Sequence, residues 1–269
     1  MSEDPVSERI LRAHLRALPW HRVITRSIEA RILQDIEFPR PMLDVGCGDG
    51  HFASVVFPEG VDVGIDPGIA DAREAVGRGV YRLVVTASSL AVPFPDRSFA
   101  SVLSNCVLEH IPDLDKTLAE VARVLRPGGR FVATVISHRF SDLFIPARAW
   151  SRVGLSRART IYVRWFNRKA RHFHFDSPET WTARLARAGL TVERWRYYSS
   201  PAASAAAHRS HYWSLPFLVW RRLTGRWVPW PGFWERPFWR RRFERYVAEP
   251  EPSDGACIAL VCRKAEGLR

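Results

Sequence analysis

The sequence predicts an α/β fold built on a doubly wound, mostly parallel sheet with helices on both faces. Three observations carry that prediction. Short β-rich runs alternate with helical ones from residue 42 to about 136, the pattern of a parallel sheet whose crossovers are helices. The first run breaks into a glycine loop, "MLDVGCGDGHF", from Met42 to Phe52, and glycines let a backbone approach a ligand closely and take positive φ. A chain of 269 residues that is 46% hydrophobic can also bury one large core with an added subdomain.

Taken in order, residues 1–40 read as a helical lead-in. Ile10, Leu11, His14, Leu15 and Leu18 fall at helical spacing before Pro19, and Val23 to Ile36 continue as a second helix. The core follows over 41–198. Its candidate strands are "MLDVG", "VDVGID", "YRLVVT", "ASVLSN" and "GRFVATVI", with a helix from Leu114 to Leu125 that lines up Leu118, Val121, Ala122 and Leu125. A basic aromatic insertion at about 139–175 interrupts the alternation, which resumes with a helix, Pro178 to Ala188, and a strand, Leu190 to Tyr198. A Trp/Arg-rich cap insertion spans 199–254, and the segment 255–269 holds a final strand, Ala256 to Arg263, and a tail.

Composition narrows the setting. The apolar runs are strand-sized, short of the roughly 20 residues of a membrane-spanning helix, and "MSEDPVSERILRAHL" has no signal-peptide core, so a cytoplasmic protein is expected. Cys47, Cys106, Cys257 and Cys262 show no metal-ligand spacing, and they read as buried thiols with no metal implied. Net charge is +12, which favours an anionic partner such as nucleic acid or a membrane surface. Only Lys116, Lys169 and Lys264 are lysines, so coding bias toward arginine is the plainer source of the charge.

The glycine loop selects the ligand. Gly46, Gly48 and Gly50 make G-x-G-x-G with Asp44 ahead and Asp49 inside, whereas a dinucleotide fold wants G-x-G-x-x-G. Asp66 ends the run "VDVGID" twenty residues after Gly46, where its two oxygens can accept both hydroxyls of a ribose. Together these point to an adenosine-type nucleoside carried without a pyrophosphate.

Four ordered motifs, "LDVGCGDG", "GIDPG", "VPFPDRSFASVLSNCVLEHIPD" and "EVARVLRPGGRFVATV", resemble the class I S-adenosylmethionine-dependent methyltransferases, most of all the type 11 group that includes quinone-biosynthesis enzymes. The resemblance covers about residues 40–138 and continues more weakly through "HFHFDSPETWTARLARAGLTVERW". It implies a Rossmann-like sheet of seven strands, the last antiparallel, and S-adenosyl-L-methionine as cofactor. Carried over by position, it puts Asp44, Gly46 and Gly48, with Cys47 between them, around the amino acid moiety. Asp66 then takes the ribose and Asn105 stands beside the methionine amino group and the reacting methyl. The family's "D-A-x-x-L-P-F" run reads "ASSLAVPF" here, which assigns the adenine amino group to Ser88, a neutral and weaker acceptor by about 1 kcal/mol. Ala100 replaces the common aspartate of "S-F-D".

Methyl transfer asks mainly for positioning, plus removal of a proton where the nucleophile carries one. Glu109 and His110, just after the fourth strand, and His138, after the fifth, are the candidate bases. The alternative is that "LEHIPD" is a structural turn into the next helix. His172 and His174, flanking Phe173, read as packing residues.

The acceptor lies outside the shared half. The favoured reading is O-methylation of a small or lipid-linked metabolite. In the cap, the last helical stretch gathers Trp239, Phe243, Tyr246 and Val247 on one face and sends Arg241 and Arg245 away. Tryptophan beside arginine is the composition of an interfacial helix on an anionic membrane, so a peripheral membrane contact through 213–247 is one expectation. Packing of that face on the protein's own core, or in a homo-oligomer, is the other. RNA methylation is an alternative function that the basic charge would serve, but "NCVLEH" stands where base-amino methylating enzymes have "[DN]PP[YFW]" and no RNA-binding module is visible. A cofactor-binding fold without methyl transfer is the third.

Overall fold

The computed structural model describes residues 5–266, so the first residues of the 1–40 lead-in and the last of the 255–269 tail lie outside the described residues. The chain divides into two compact units. One gathers the segments up to Asp35, Arg139–Arg164 and Tyr197–Ala256; the other holds Ile36–His138, Trp165–Arg196 and the chain from Cys257 on.

The second unit contains a seven-stranded sheet in the order β3-β2-β1-β4-β5-β7-β6, with β1 (Met42–Val45), β2 (Val61–Asp66), β3 (Tyr81–Thr86), β4 (Phe99–Asn105), β5 (Leu125–Ile136), β6 (Leu190–Tyr198) and β7 (Cys257–Lys264). β1 pairs in parallel with β2 and β4, β2 with β3, and β4 with β5, while β7 runs antiparallel to β5. All four residues of β1 are buried, as its central place requires of a strand covered on both faces. Cys257 and Cys262 are both buried although an odd step apart on β7, since both faces of that strand are covered.

Between the strands lie α3 (His51–Val56), α4 (Ile69–Arg78), α5 (Leu114–Val124) and α8 (Pro178–Arg187). Two of them start on a side-chain cap that the sequence supplies. Asp113 caps α5 by accepting from the Lys116 N–H, and Ser177 caps α8 by accepting from Thr180, with Pro178 in the first turn. α5 buries Leu118, Val121 and Ala122, and α8 buries Trp181 and Leu185 completely.

The other unit is helical: α1 (Pro5–Ala17), α2 (Trp20–Gln34), α6 (Ile145–Arg152), the first part of α7 (Ser156–Ala170), α9 (Pro201–Trp213), α10 (Leu215–Thr224), α11 (Pro231–Trp234) and α12 (Pro237–Val247). The lead-in residues Ile10, Leu11, Leu15 and Leu18 are buried, and so is His14, which pairs with Ser27 at 3.0 Å. Glu29, buried on α2, is held by Arg26 at 2.7 Å and by the Tyr198 hydroxyl at 3.0 Å, which is how a carboxylate survives burial.

The expectation of α12 as an outward interfacial face is corrected. Phe243 and Val247 are buried, and Trp20 of α2 stands 4.8 Å from Trp239 and 6.1 Å from Phe243, ring centre to ring centre. Trp234 closes the cluster at 4.9 Å from Trp20. Offset and edge-on aromatic pairs of this kind stabilise a core beyond their buried area, so the face is used up inside its own unit. α10 differs: Val219 is 61% and Leu223 78% exposed, as are Trp213 (70%) just before the helix and Trp230 (73%), whose ring stands 6.1 Å from Trp220.

Candidate functional site

The strand order turns around at β1. The chain runs β1, β2, β3 outward in one direction and then lays β4 on the other side of β1. Loops leaving the carboxyl ends of two such neighbours diverge and open a crevice. Here those loops are Gly46–Gly50 and the stretch from Cys106 to His110.

The glycine loop is fixed by its own backbone. The Gly46 and Cys47 N–H groups donate to the Ile65 carbonyl at 2.8 and 3.0 Å, and Gly48 N–H donates to Asp66 Oδ2 at 3.0 Å. Gly46 (φ +79°) faces Val107: a Cβ there would come within 2.4 Å of Cγ2. Gly48 (φ +53°) is the opposite case, with nothing within 4 Å of where its Cβ would be. The loop is therefore closed on the Val107 side and open beside Gly48, a cradle that a ligand can approach to backbone distance.

Carboxylates surround this opening. Asp44, buried in β1, accepts from the Tyr81 hydroxyl at 2.7 Å. Asp66 accepts Gly68 N–H on Oδ1 at 2.8 Å and Gly48 N–H on Oδ2. Each oxygen keeps a second lone pair, so two vicinal hydroxyls can still be received. Asp71, in the first turn of α4, adds a third charge against Gly68. In a chain of net charge +12 this acidic patch suits a ligand that is itself cationic. Cys47 lies among these groups, and burial, then Asp44 and Asp66, push its thiol well above the usual range. It stays protonated and packs beside Gly64 and Tyr81. Burial and Asp44 raise the Tyr81 phenol in the same way, so it remains a donor.

On the neighbouring loop, Asn105 is buried at the end of β4 with its Oδ1 accepting from Thr134 Oγ1 at 2.7 Å. Leu108–His110 form one 3₁₀ turn. Glu109 is buried, and His110 is exposed with Nδ1 3.2 Å from the Arg171 carbonyl. The segment 171–174 is stitched to this turn: Phe173 N–H donates to Glu109 O at 2.8 Å and His174 Nε2 lies 2.9 Å from Ile111 O. His172 sits 5.0 Å from His110, ring to ring, and burial together with that neighbour drives its pKa down to about 4. His172 is thus neutral near pH 7.

Asp44, Gly46, Cys47, Gly48 and Asp66 form one cluster, and Asn105, Glu109 and His110 follow one another on the next loop. Ser88 stands in an exposed turn after β3, its Oγ accepting Leu90 N–H at 3.2 Å, and His138 is exposed after β5. Tyr81, Val107 and Asp71 escape the sequence reading. A tyrosine opening a strand, a valine after a cysteine and an acid in a first helical turn each have ordinary structural uses, and only their partners in space mark them.

A methyltransferase-domain family model matches residues 13–194, more than half of the chain. Among curated proteins, a demethylmenaquinone methyltransferase of Symbiobacterium thermophilum is 32% identical over 134 residues, 45% of this chain and 50% of that protein. An uncharacterised methyltransferase of Mycobacterium marinum is 42% identical over 96 residues, 34% of this chain and 36% of that protein. The chain thus spans half or less of the length of the curated relatives it matches. Among solved structures, an S-adenosylmethionine-dependent methyltransferase of Thermotoga maritima superposes with a TM-score of 0.55 at 17% identity, covering 91% of this chain and 90% of that one, a likeness of fold.

Proposed function

The chain belongs to the methyltransferase domain family, and on that premise we propose that it transfers a methyl group from S-adenosylmethionine to a small or lipid-linked metabolite. The observation that carries the reading is the Gly46–Gly50 loop tied to Asp66, with open space beside Gly48 and three carboxylates around it. Those acceptors and their negative charge fit a molecule with a sulfonium, an ammonium and a ribose. When bound, S-adenosylmethionine supplies a methyl group already activated by the sulfonium, so the protein's part is alignment. Asp66 would take the ribose hydroxyls, Ser88 the adenine amino group, and Asp44, Cys47 and the loop glycines the amino acid end, with Asn105 beside it.

Calorimetric titration with S-adenosylmethionine and S-adenosylhomocysteine, beside Asp66→Ala, tests the cofactor half. Saturable binding, weakened at least about tenfold in the variant, is expected. No heat from either ligand in a folded sample would overturn it.

O-methylation is the favoured chemistry within this proposal, with His110 as general base. Its support is exposure at the end of β4 beside the neutral His172, because an oxygen nucleophile must lose its proton as it attacks. Glu109 is buried and His138 lies after a different strand, which makes them weaker choices. A lipid-linked acceptor is supported by α10, whose Leu218, Val219 and Leu223 are exposed among Arg221, Arg222 and Arg226. No acidic residue lies between Tyr212 and Pro229. No helix among the described residues is long and apolar enough to cross a membrane, so the contact proposed is peripheral, with anionic lipid. Demethylmenaquinone, the compound in the name of the Symbiobacterium relative, is an apolar quinone of the class such a surface would bring within reach.

A further inference from the structure

The segment from Arg139 to Arg159 carries arginine at 139, 148, 152, 157 and 159. Two carboxylates meet these arginines, Asp142 from within the segment and Asp254 from outside it. Asp254 takes Arg139 in a two-pronged contact, Nε at 3.1 Å and Nη2 at 3.0 Å, and Asp142 is shared between Arg139 at 3.5 Å and Arg159. Together these side chains border a cavity of about 630 Å³ that Arg148 and Arg152 also line. Neither Arg148 nor Arg152 has a carboxylate partner among the described residues.

We propose that this cavity binds a phosphate-bearing ligand, a phosphate monoester or a diphosphate, through Arg148 and Arg152. The carboxylate-held Arg139 and Arg159 form its fixed wall.

Four guanidiniums face two carboxylates, so the cavity keeps an excess of two positive charges, the charge of a phosphate dianion reversed. Arg148 and Arg152 are one helical turn apart on α6, an arrangement of like charges that weakens a helix unless an anion lies between them. Guanidinium forks, charged at every accessible pH, match phosphate oxygens with paired hydrogen bonds. The first turn of α7 reaches the same cavity at Ser156 and contains no acidic residue, so the positive end of the helix dipole adds to the field. The volume lies in the range of small-molecule pockets and exceeds what a bare phosphate fills. Leu143 and Pro201 offer apolar wall to the organic part of an ester.

The test is calorimetric titration of the full chain with inorganic pyrophosphate at about 0.1 M salt. The same titration is run on Arg148→Gln/Arg152→Gln and Arg148→Lys/Arg152→Lys. Saturable binding is expected, lost by at least about tenfold in the glutamine variant and by less in the lysine variant, which keeps charge without the fork. Arg152 is exposed and Arg148 half-buried, so neither variant should unfold below the parent's temperature, which serves as the folding control. Absence of saturable binding, or binding of equal strength to the folded glutamine variant, overturns the proposal. Vesicles containing phosphatidic acid separate the two sources of such a group: competition with pyrophosphate assigns the site to a lipid headgroup, and lack of competition assigns it to a soluble ester.

Discussion

At Gly46 two constraints meet in one atom that is not there. A side chain would be strained by φ +79° and would run into Val107 at 2.4 Å. Backbone strain of this kind costs about 1–3 kcal/mol, and overpacking adds about as much. Gly46→Ala is therefore expected to lower stability by about 2 kcal/mol or more in urea unfolding, and Val107→Ala in the same chain to recover only the packing share. An unchanged unfolding midpoint in Gly46→Ala would contradict this. The need for glycine was readable from the motif; the reason was not, because Val107 lies 61 positions on and meets the loop only once β4 is laid beside β1. Tyr81, whose phenol holds Asp44 from the start of β3, was out of reach for the same reason.

Among the elements, α9 carries a pH response. His208 is buried, stacked 4.5 Å from Phe144 and paired with the Tyr162 hydroxyl at 2.9 Å. Burial, with His211 adding to it, pushes its pKa down to about 4. Burial and His211 push His21 of α2 to about 3. Between the unfolded value of 6.5 and those values the unfolded chain binds protons that the native chain does not, so stability falls as pH drops through that window. For His208 the loss reaches at most about 3 kcal/mol. Unfolding followed from pH 7 to pH 4 should show this slope, and His208→Asn should make it shallower while the share of His21 stays; an equally steep slope in the variant would exclude His208 as a source. Elements were legible where a period or a cap announced them: β2, β3 and β6 match their expected limits, and α5 and α8 begin on their caps. β5 starts earlier than the expected "GRFVATVI", at Leu125, and takes in Pro127 and two glycines because a register shift opposite Phe99 and Ser101 absorbs the irregularity. α7 was illegible because none of its residues is buried, which leaves no apolar period to read.

For the molecule as a whole, charge and bare apolar surface coincide on α10. The protein is expected to cosediment with vesicles rich in anionic lipid at low salt and to be released as salt rises. Val219→Glu/Leu223→Glu should abolish this while leaving the unfolding temperature in place, since both positions are more than half exposed. Binding that survives the double substitution, or failure to bind at low salt, would count against the lipid surface. The division into two units was the least legible feature at this scale. Each unit is assembled from three separated stretches of chain, and composition marks stretches, not the company they keep.

The place of β7 bears on how the chain can be made. It lies between β5 and β6 in the sheet, yet both neighbours precede it in sequence, β5 ending at Ile136 and β6 at Tyr198. While the ribosome is still working through the cap, β6 has no strand to join and β5 presents an open edge of unpaired N–H and C=O groups, the kind of template on which nascent chains stick to one another. Only when residues 257–264 emerge can one strand satisfy both edges. Translation that stalls within the cap would release a polypeptide with every part of the glycine-loop crevice already synthesised and a sheet that cannot close.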